Sequence, residues 1–229
     1  MASIEATLQQ VRARIAHACI SVGRPVQSVT LLAVSKTFGA TAVRAAQAAG
    51  QRAFGENYVQ EALAKMDALA DLRSGIEWHL IGPLQANKTA VVAAAFDWVH
   101  SVDRLRIAER LSARHPSGRP PLQICIQVNV SGEANKAGVA PAELPALARA
   151  VAALPGLKLR GLMAIPEPAP DFEAQRLPHR RLRQLLDELR ADGLALDTLS
   201  IGMSADLEAA VAEGATIVRV GTAIFGARR

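Results

Sequence analysis

Strand-length apolar runs recur along this chain, and after nearly every one the apolar residues change to helical spacing. Strands are read over 30–36, 53–57, 77–82, 98–102, 122–130, 157–165, 198–202 and 217–220, with helices over 42–49, 59–69, 87–95, 104–113, 142–153, 180–191 and 205–213. A further helix over 4–21 precedes the first strand and can close the ring behind the last. Pro178 is placed at the first turn, or at a kink, of the helix over 180–191. Such alternation calls for a parallel sheet covered by helices. A doubly wound open sheet would ordinarily show a glycine-rich phosphate fingerprint after its first strand, where this chain has Lys36-Thr37-Phe38-Gly39. The reading is a single α/β domain of 229 residues, a (β/α)8 TIM barrel.

Composition excludes several classes. No segment is long and apolar enough to span a membrane, and Glu5, Gln9 and Gln10 stand where a signal peptide needs an apolar core, so a cytoplasmic protein is expected. The formal charge is +5, but only 3% of residues are aromatic and no basic run is interleaved with them, so neither nucleic acid nor membrane is expected as a partner. Cys19 and Cys125 lack the spacing of a metal or redox motif and are read as buried free thiols, with no metal site expected.

In a barrel, functional groups gather at the C-terminal ends of the strands. Lys36 ends the first strand on the face shared by Leu32 and Val34, either lifting its ammonium into water or serving as an amine nucleophile toward a carbonyl. Asn57 either hydrogen-bonds a ligand or caps the following helix, and His79 is either a structural histidine or a site residue. Gln127 and Asn129 look pocket-lining; Gly161 leaves room for something flat, against which Met163 can pack. The stretch Ser200-Ile201-Gly202-Met203-Ser204 turns into a helix with Ser204 at its N-cap, and Gly221-Thr222 follows the last strand. Loops after the seventh and eighth strands commonly hold phosphate. Arg219 either pairs with a carboxylate such as Glu213 or donates to an acceptor such as an aromatic ring nitrogen. An amine, a phosphate cradle and a ring-nitrogen donor at one barrel mouth together describe pyridoxal 5'-phosphate.

The strings Val34-Ser35-Lys36-Thr37, Phe54-Gly55-Glu56-Asn57-Tyr58-Val59-Gln60-Glu61, Trp78 to Lys88, Arg160-Gly161-Leu162-Met163, Leu199 to Ser204 and Arg219 to Gly226 resemble the YggS/PROSC family of pyridoxal phosphate homeostasis proteins. The resemblance runs from the first strand to the end of the chain. It implies a barrel like the alanine racemase N-terminal domain, with Lys36 as Schiff-base lysine, the phosphate by Ser204, Gly221 and Thr222, and the pyridine nitrogen near Arg219. Asn57, His79, Met163, Ser200, Gly202 and Met203 complete the expected cofactor pocket, and Lys136 matches a family position as an accessory amine. Where many members have Lys-Pro after the Lys-Thr pair, this chain has Phe38-Gly39.

The expected role is a monomer that buffers pyridoxal phosphate or delivers it to apoenzymes, without robust turnover. An amino-acid racemase using the same cofactor is one alternative, although it needs a second acid/base group that related racemases bring from a further β domain, not expected in a chain ending at Arg229. A lysine aldolase acting without cofactor on a phosphorylated substrate is the other.

Overall fold

The computed structural model describes residues 3–132 and 137–227; Lys136 lies outside the described residues. Helix α1 (Ile4–Ser21) leads into β1 (Thr30–Val34), followed by α2 (Ala40–Ala48), β2 (Ala53–Glu56), α3 (Val59–Ala68), β3 (Glu77–Leu80), α4 (Thr89–Ala95), β4 (Trp98–Val102) and α5 (Leu105–Arg114). The second half comprises β5 (Leu122–Gln127), α6 (Leu144–Ala152), β6 (Leu157–Met163), α7 (Phe172–Ala191), β7 (Thr198–Ser200), α8 (Leu207–Ala212), β8 (Ile217–Val220) and a short α9 (Thr222–Phe225). The strands pair in sequence order, all in parallel, and β8 closes on β1. This is the (β/α)8 barrel that the alternation predicts.

Strand side chains alternate between two cores. Leu31 and Ala33 of β1 face outward with Phe54, Trp78, Leu80 and Ile124, packing under the helices. Leu32 and Val34 face inward with Ala53, Ile81, Trp98, Cys125, Met163 and Ile217. Helix α1 begins where Ser3 Oγ accepts from Ala6 N–H and buries Leu8, Val11, Ile15 and Ala18. It packs beside α2 on one side and α8 and α9 on the other, with Thr7 Oγ1 donating to the Ile224 carbonyl at 2.8 Å. Both cysteines are buried and free. No helix among the described residues is long and apolar enough to cross a membrane.

The structure corrects several boundaries. Strand β1 stops at Val34, so Lys36 sits in a turn closed by Phe38 N–H donating to the Ser35 carbonyl at 3.0 Å. Strand β7 stops at Ser200, because Gly202 takes a φ of 90° that no strand residue adopts. Ser204 is not an N-cap. Residues 204–206 form a turn, Asp206 Oδ1 accepts from Met203 N–H at 2.6 Å, and α8 starts after Asp206. Helix α7 starts eight residues before the expected position. Asp171 caps it by accepting from Ala174 N–H at 2.9 Å, and Pro178 lies inside it. Proline removes one donor there, which the cap and the burial of His179, Leu182, Leu185, Leu186 and Leu189 outweigh.

Gly161 has a different purpose from the one expected. A Cβ there would overlap the Thr198 carbonyl, so the glycine lets β6 and β7 approach and does not leave space for a ligand. Gly161→Ala is expected to destabilise the barrel by about 3 kcal/mol, read as a lower urea midpoint at unchanged m-value.

Candidate functional site

The Lys36 turn is held on both sides. Thr37 has a φ of 69°, and no other non-glycine among the described residues has a positive φ. For a β-branched residue this is a strained conformation, costing about 1–2 kcal/mol. Its N–H donates to Glu61 Oε1 at 2.6 Å, which anchors the strained peptide to α3. On the other side Ser35, wholly buried, donates its hydroxyl to Glu56 Oε1 at 2.6 Å. The buried Lys65 ammonium joins the two halves. It donates to the Ser35 carbonyl at 2.7 Å, to Glu56 Oε1 at 2.7 Å and to Glu61 Oε1 at 2.6 Å, satisfying all three of its donors. Burial pushes the Glu56 carboxyl up, against the opposing pull of Lys65. Phe38 packs its ring on Phe225 beyond β8, with centroids 5.2 Å apart.

The loops of the last two strands lie beside this turn. Val220 pairs with Ala33, which sets Gly221 against Val34: a Cβ at Gly221 would stand 3.1 Å from the Val34 carbonyl oxygen. Thr222 opens α9 immediately after. Gly202 packs so closely under α8 that a Cβ would stand 2.5 Å from that of Ala210, and its carbonyl accepts from Arg219 N–H at 2.9 Å. The turn through Met203 and Ser204 therefore rests on β8. Asp206 fixes it from below: burial works against its ionisation, but donors from His179 Nε2 at 3.0 Å and Met203 N–H hold its carboxyl below the usual range.

Arg219 is buried inside the barrel. Nη1 donates to the Ser200 carbonyl and to Ser200 Oγ at 2.9 Å, and Nη2 donates to the Ala164 carbonyl at 2.8 Å. It does not pair with Glu213, the carboxylate considered from sequence, which is taken by Arg176 and Arg180 on α7. Burial pushes the guanidinium down to about 10, which leaves it charged at neutral pH.

Of the remaining expected residues, Asn57 follows β2 and its Oδ1 is buried with no hydrogen-bond partner among the described residues. Met163 is fully buried at the end of β6 among the inward side chains. His79 is buried, stacked on Trp98 with centroids 5.3 Å apart, and has both ring nitrogens engaged, by Glu77 and His100. It reaches Ser200 through His100. Sequence reasoning missed Glu56, Glu61, Lys65 and His100. Glu61 and Lys65 carry a signal, an acid and a base four apart on one helix. His100 stands two residues from the inward Trp98, which also marks it.

A family model described as alanine racemase, N-terminal domain, matches residues 7–229. The pyridoxal phosphate homeostasis protein of Pseudomonas aeruginosa is 60% identical over 228 residues, covering 100% of this chain and 97% of the relative. The protein of that name from Escherichia coli K12 is 52% identical over 229 residues, covering 100% and 98%. PipY of Synechococcus elongatus, solved with PLP bound, superposes with a TM-score of 0.85 at 41% identity, over 97% of this chain and 100% of that one. Alanine racemase from Corynebacterium glutamicum shares the fold, with a TM-score of 0.66 at 20% identity over 93% of this chain and 60% of that one. By these full-length matches the chain belongs to the family of pyridoxal phosphate homeostasis proteins, built on the alanine racemase N-terminal domain.

Proposed function

We propose that this protein holds pyridoxal 5'-phosphate as a Schiff base on Lys36 and serves the cell by buffering or delivering it, without robust turnover of its own. The observation that carries the reading is Arg219, a buried guanidinium that forms no ion pair among the described residues. Such a charge is costly without a partner, and a ligand with an acceptor ring nitrogen and a nearby phosphate compensates it. Asn57 Oδ1, buried and unpaired among the described residues, is a second group suited to a ligand. The residues fit the cofactor by their chemistry. Lys36 offers the amine, Gly202, Met203, Ser204, Gly221 and Thr222 the phosphate cradle, and Arg219 the donor to the ring. Asn57, Met163 and Ser200 complete the pocket, with His79 acting from behind. The cofactor itself supplies an aldehyde and an electron-withdrawing ring.

An arginine at the ring nitrogen favours the reading of a carrier. Arginine donates and stays charged, so it opposes protonation of the ring and mutes its capacity as an electron sink. The Ser35-Glu56-Lys65-Glu61 clamp serves holding in the same way, since it fixes the lysine-bearing turn between α3 and β2. Protein loaded with pyridoxal phosphate should absorb visible light, racemise alanine no faster than free cofactor, and restore activity to a cofactor-depleted apoenzyme. Racemisation on the order of 1 per second or faster would replace the carrier with a racemase. A colourless protein that takes up no cofactor would leave the lysine aldolase.

A further inference from the structure

Arg219 is connected through the barrel to its opposite end by four successive side-chain hydrogen bonds: 2.9 Å to Ser200 Oγ, 2.8 Å from Ser200 Oγ to His100 Nδ1, 2.9 Å from His100 Nε2 to His79 Nδ1, and 2.7 Å from His79 Nε2 to Glu77 Oε1. Arg219, Ser200, His100 and His79 are buried, whereas the Glu77 side chain is half exposed. Glu77 opens into a cavity of about 950 Å³ at the N-terminal ends of the strands, lined also by Thr30, Ala53, Trp98, Leu122 and Arg160.

The direction of every proton in this chain follows from its two ends. Arg219 can only donate, and a carboxylate can only accept. Hydrogen bonding from His79 holds Glu77 low, against its partial burial, so it is ionised at neutral pH. The neutral form of His79 therefore carries its proton on Nε2 and accepts at Nδ1. His100, kept neutral by burial and by the nearby Arg219 charge, must then donate from Nε2 and accept from the Ser200 hydroxyl at Nδ1. Ser200 Oγ, having given up its hydrogen in that direction, is left as an acceptor for Arg219. All four bonds point the same way, and aligned bonds polarise one another. A second proton on His79, at Nδ1, would reverse the bond between the two imidazoles and turn a second donor onto Ser200 Oγ.

We propose that Glu77, His79, His100 and Ser200 are positioning residues that convey the charge state of a carboxylate at the foot of the barrel to the guanidinium near its mouth. Glu77 thereby tunes the residue that, on the reading given above, meets the cofactor ring. The other charged or titratable groups around the chain are fixed. Arg160 on β6 pairs with Asp197 at 2.7 Å, burial pushes the inward Cys125 thiol up to about 12, and Asp206 is held by His179. Glu77 is the member of the chain open to solvent.

The test has a cofactor-free arm and a loaded arm. In cofactor-free protein, nitrogen-15 NMR of the imidazoles at pH 7.5 should show both His79 and His100 protonated on Nε2, and Glu77→Gln should turn His79 into a mixture of tautomers. A proton on Nδ1 of either ring in the unaltered protein would overturn the proposal. In loaded protein, Glu77→Gln removes a negative charge and should lower the pH midpoint of the visible band, and this shift should vanish in a His100→Asn background. A shift that persists there undiminished means a through-space charge effect and overturns the relay. Should His100→Asn fail to fold, the tautomer measurement still decides. Should the protein take up no pyridoxal phosphate, the proposed function fails while the tautomers still decide the relay.

Discussion

Lys36→Ala is expected to abolish the visible absorption of cofactor-loaded protein and the mass added after borohydride reduction, while leaving the barrel folded. The lysine lies two residues past the end of β1, in a turn, and contributes no core volume. Its loss should cost about 1 kcal/mol or less and shift Tm by no more than about 4 °C. Lys36→Arg separates covalent from electrostatic holding, because the guanidinium keeps the charge but forms no Schiff base. Calorimetry and absorption on the two variants check this, and a folded Lys36→Ala protein that still carries covalent cofactor would assign the link elsewhere.

Lys65→Met is expected to be the most damaging single change to the fold near the site. The methionine preserves most of the stem but leaves Glu56, whose side chain is 0% exposed, facing Glu61 without the ammonium between them. Breaking a buried pair by removing one partner costs about 3–5 kcal/mol, or roughly 6–20 °C in Tm. The penalty has a pH signature. Burial already raises the Glu56 carboxyl in the folded protein, and without Lys65 it rises further. A carboxyl raised on folding favours the native state below its unfolded value of about 4.3, and that contribution is lost as pH rises through the folded value. The deficit of Lys65→Met against the unaltered protein should therefore be larger at pH 8 than at pH 5.5 in urea unfolding. Adding Glu56→Gln should recover part of it, and an equal deficit at both pH values would contradict the buried pair. The damage should reach the site, since Glu61, which anchors the left-handed Thr37 backbone, loses the Lys65 ammonium that holds it in place.

The barrel was legible because each strand is a short apolar run and each helix an amphipathic one, patterns that survive without knowledge of the partners. The mouth was partly legible. Lys36, Arg219 and the Gly-Thr and Gly-Met-Ser turns stand at strand ends, where a barrel exposes them. Boundaries set by single backbone angles were not legible, since nothing local announces the left-handed Thr37 or places the α8 cap at Asp206 in preference to Ser204. Nor were groups defined by distant partners. The burial of Lys65 depends on Glu56, nine residues away, and His100 acquires its purpose from Ser200, a hundred residues on. Pro178 inside α7 is the opposite failure, a strong local signal overruled by a cap and a buried leucine face.

The central claim is that Lys36 is the covalent anchor of pyridoxal phosphate, and reduction followed by peptide mapping tests it most directly. Purified protein incubated with the cofactor, reduced with borohydride, digested and analysed by mass spectrometry should carry one phosphopyridoxyl group, on Lys36. An unlabelled chain, or a label on Lys65 or another lysine with Lys36 untouched, would contradict it.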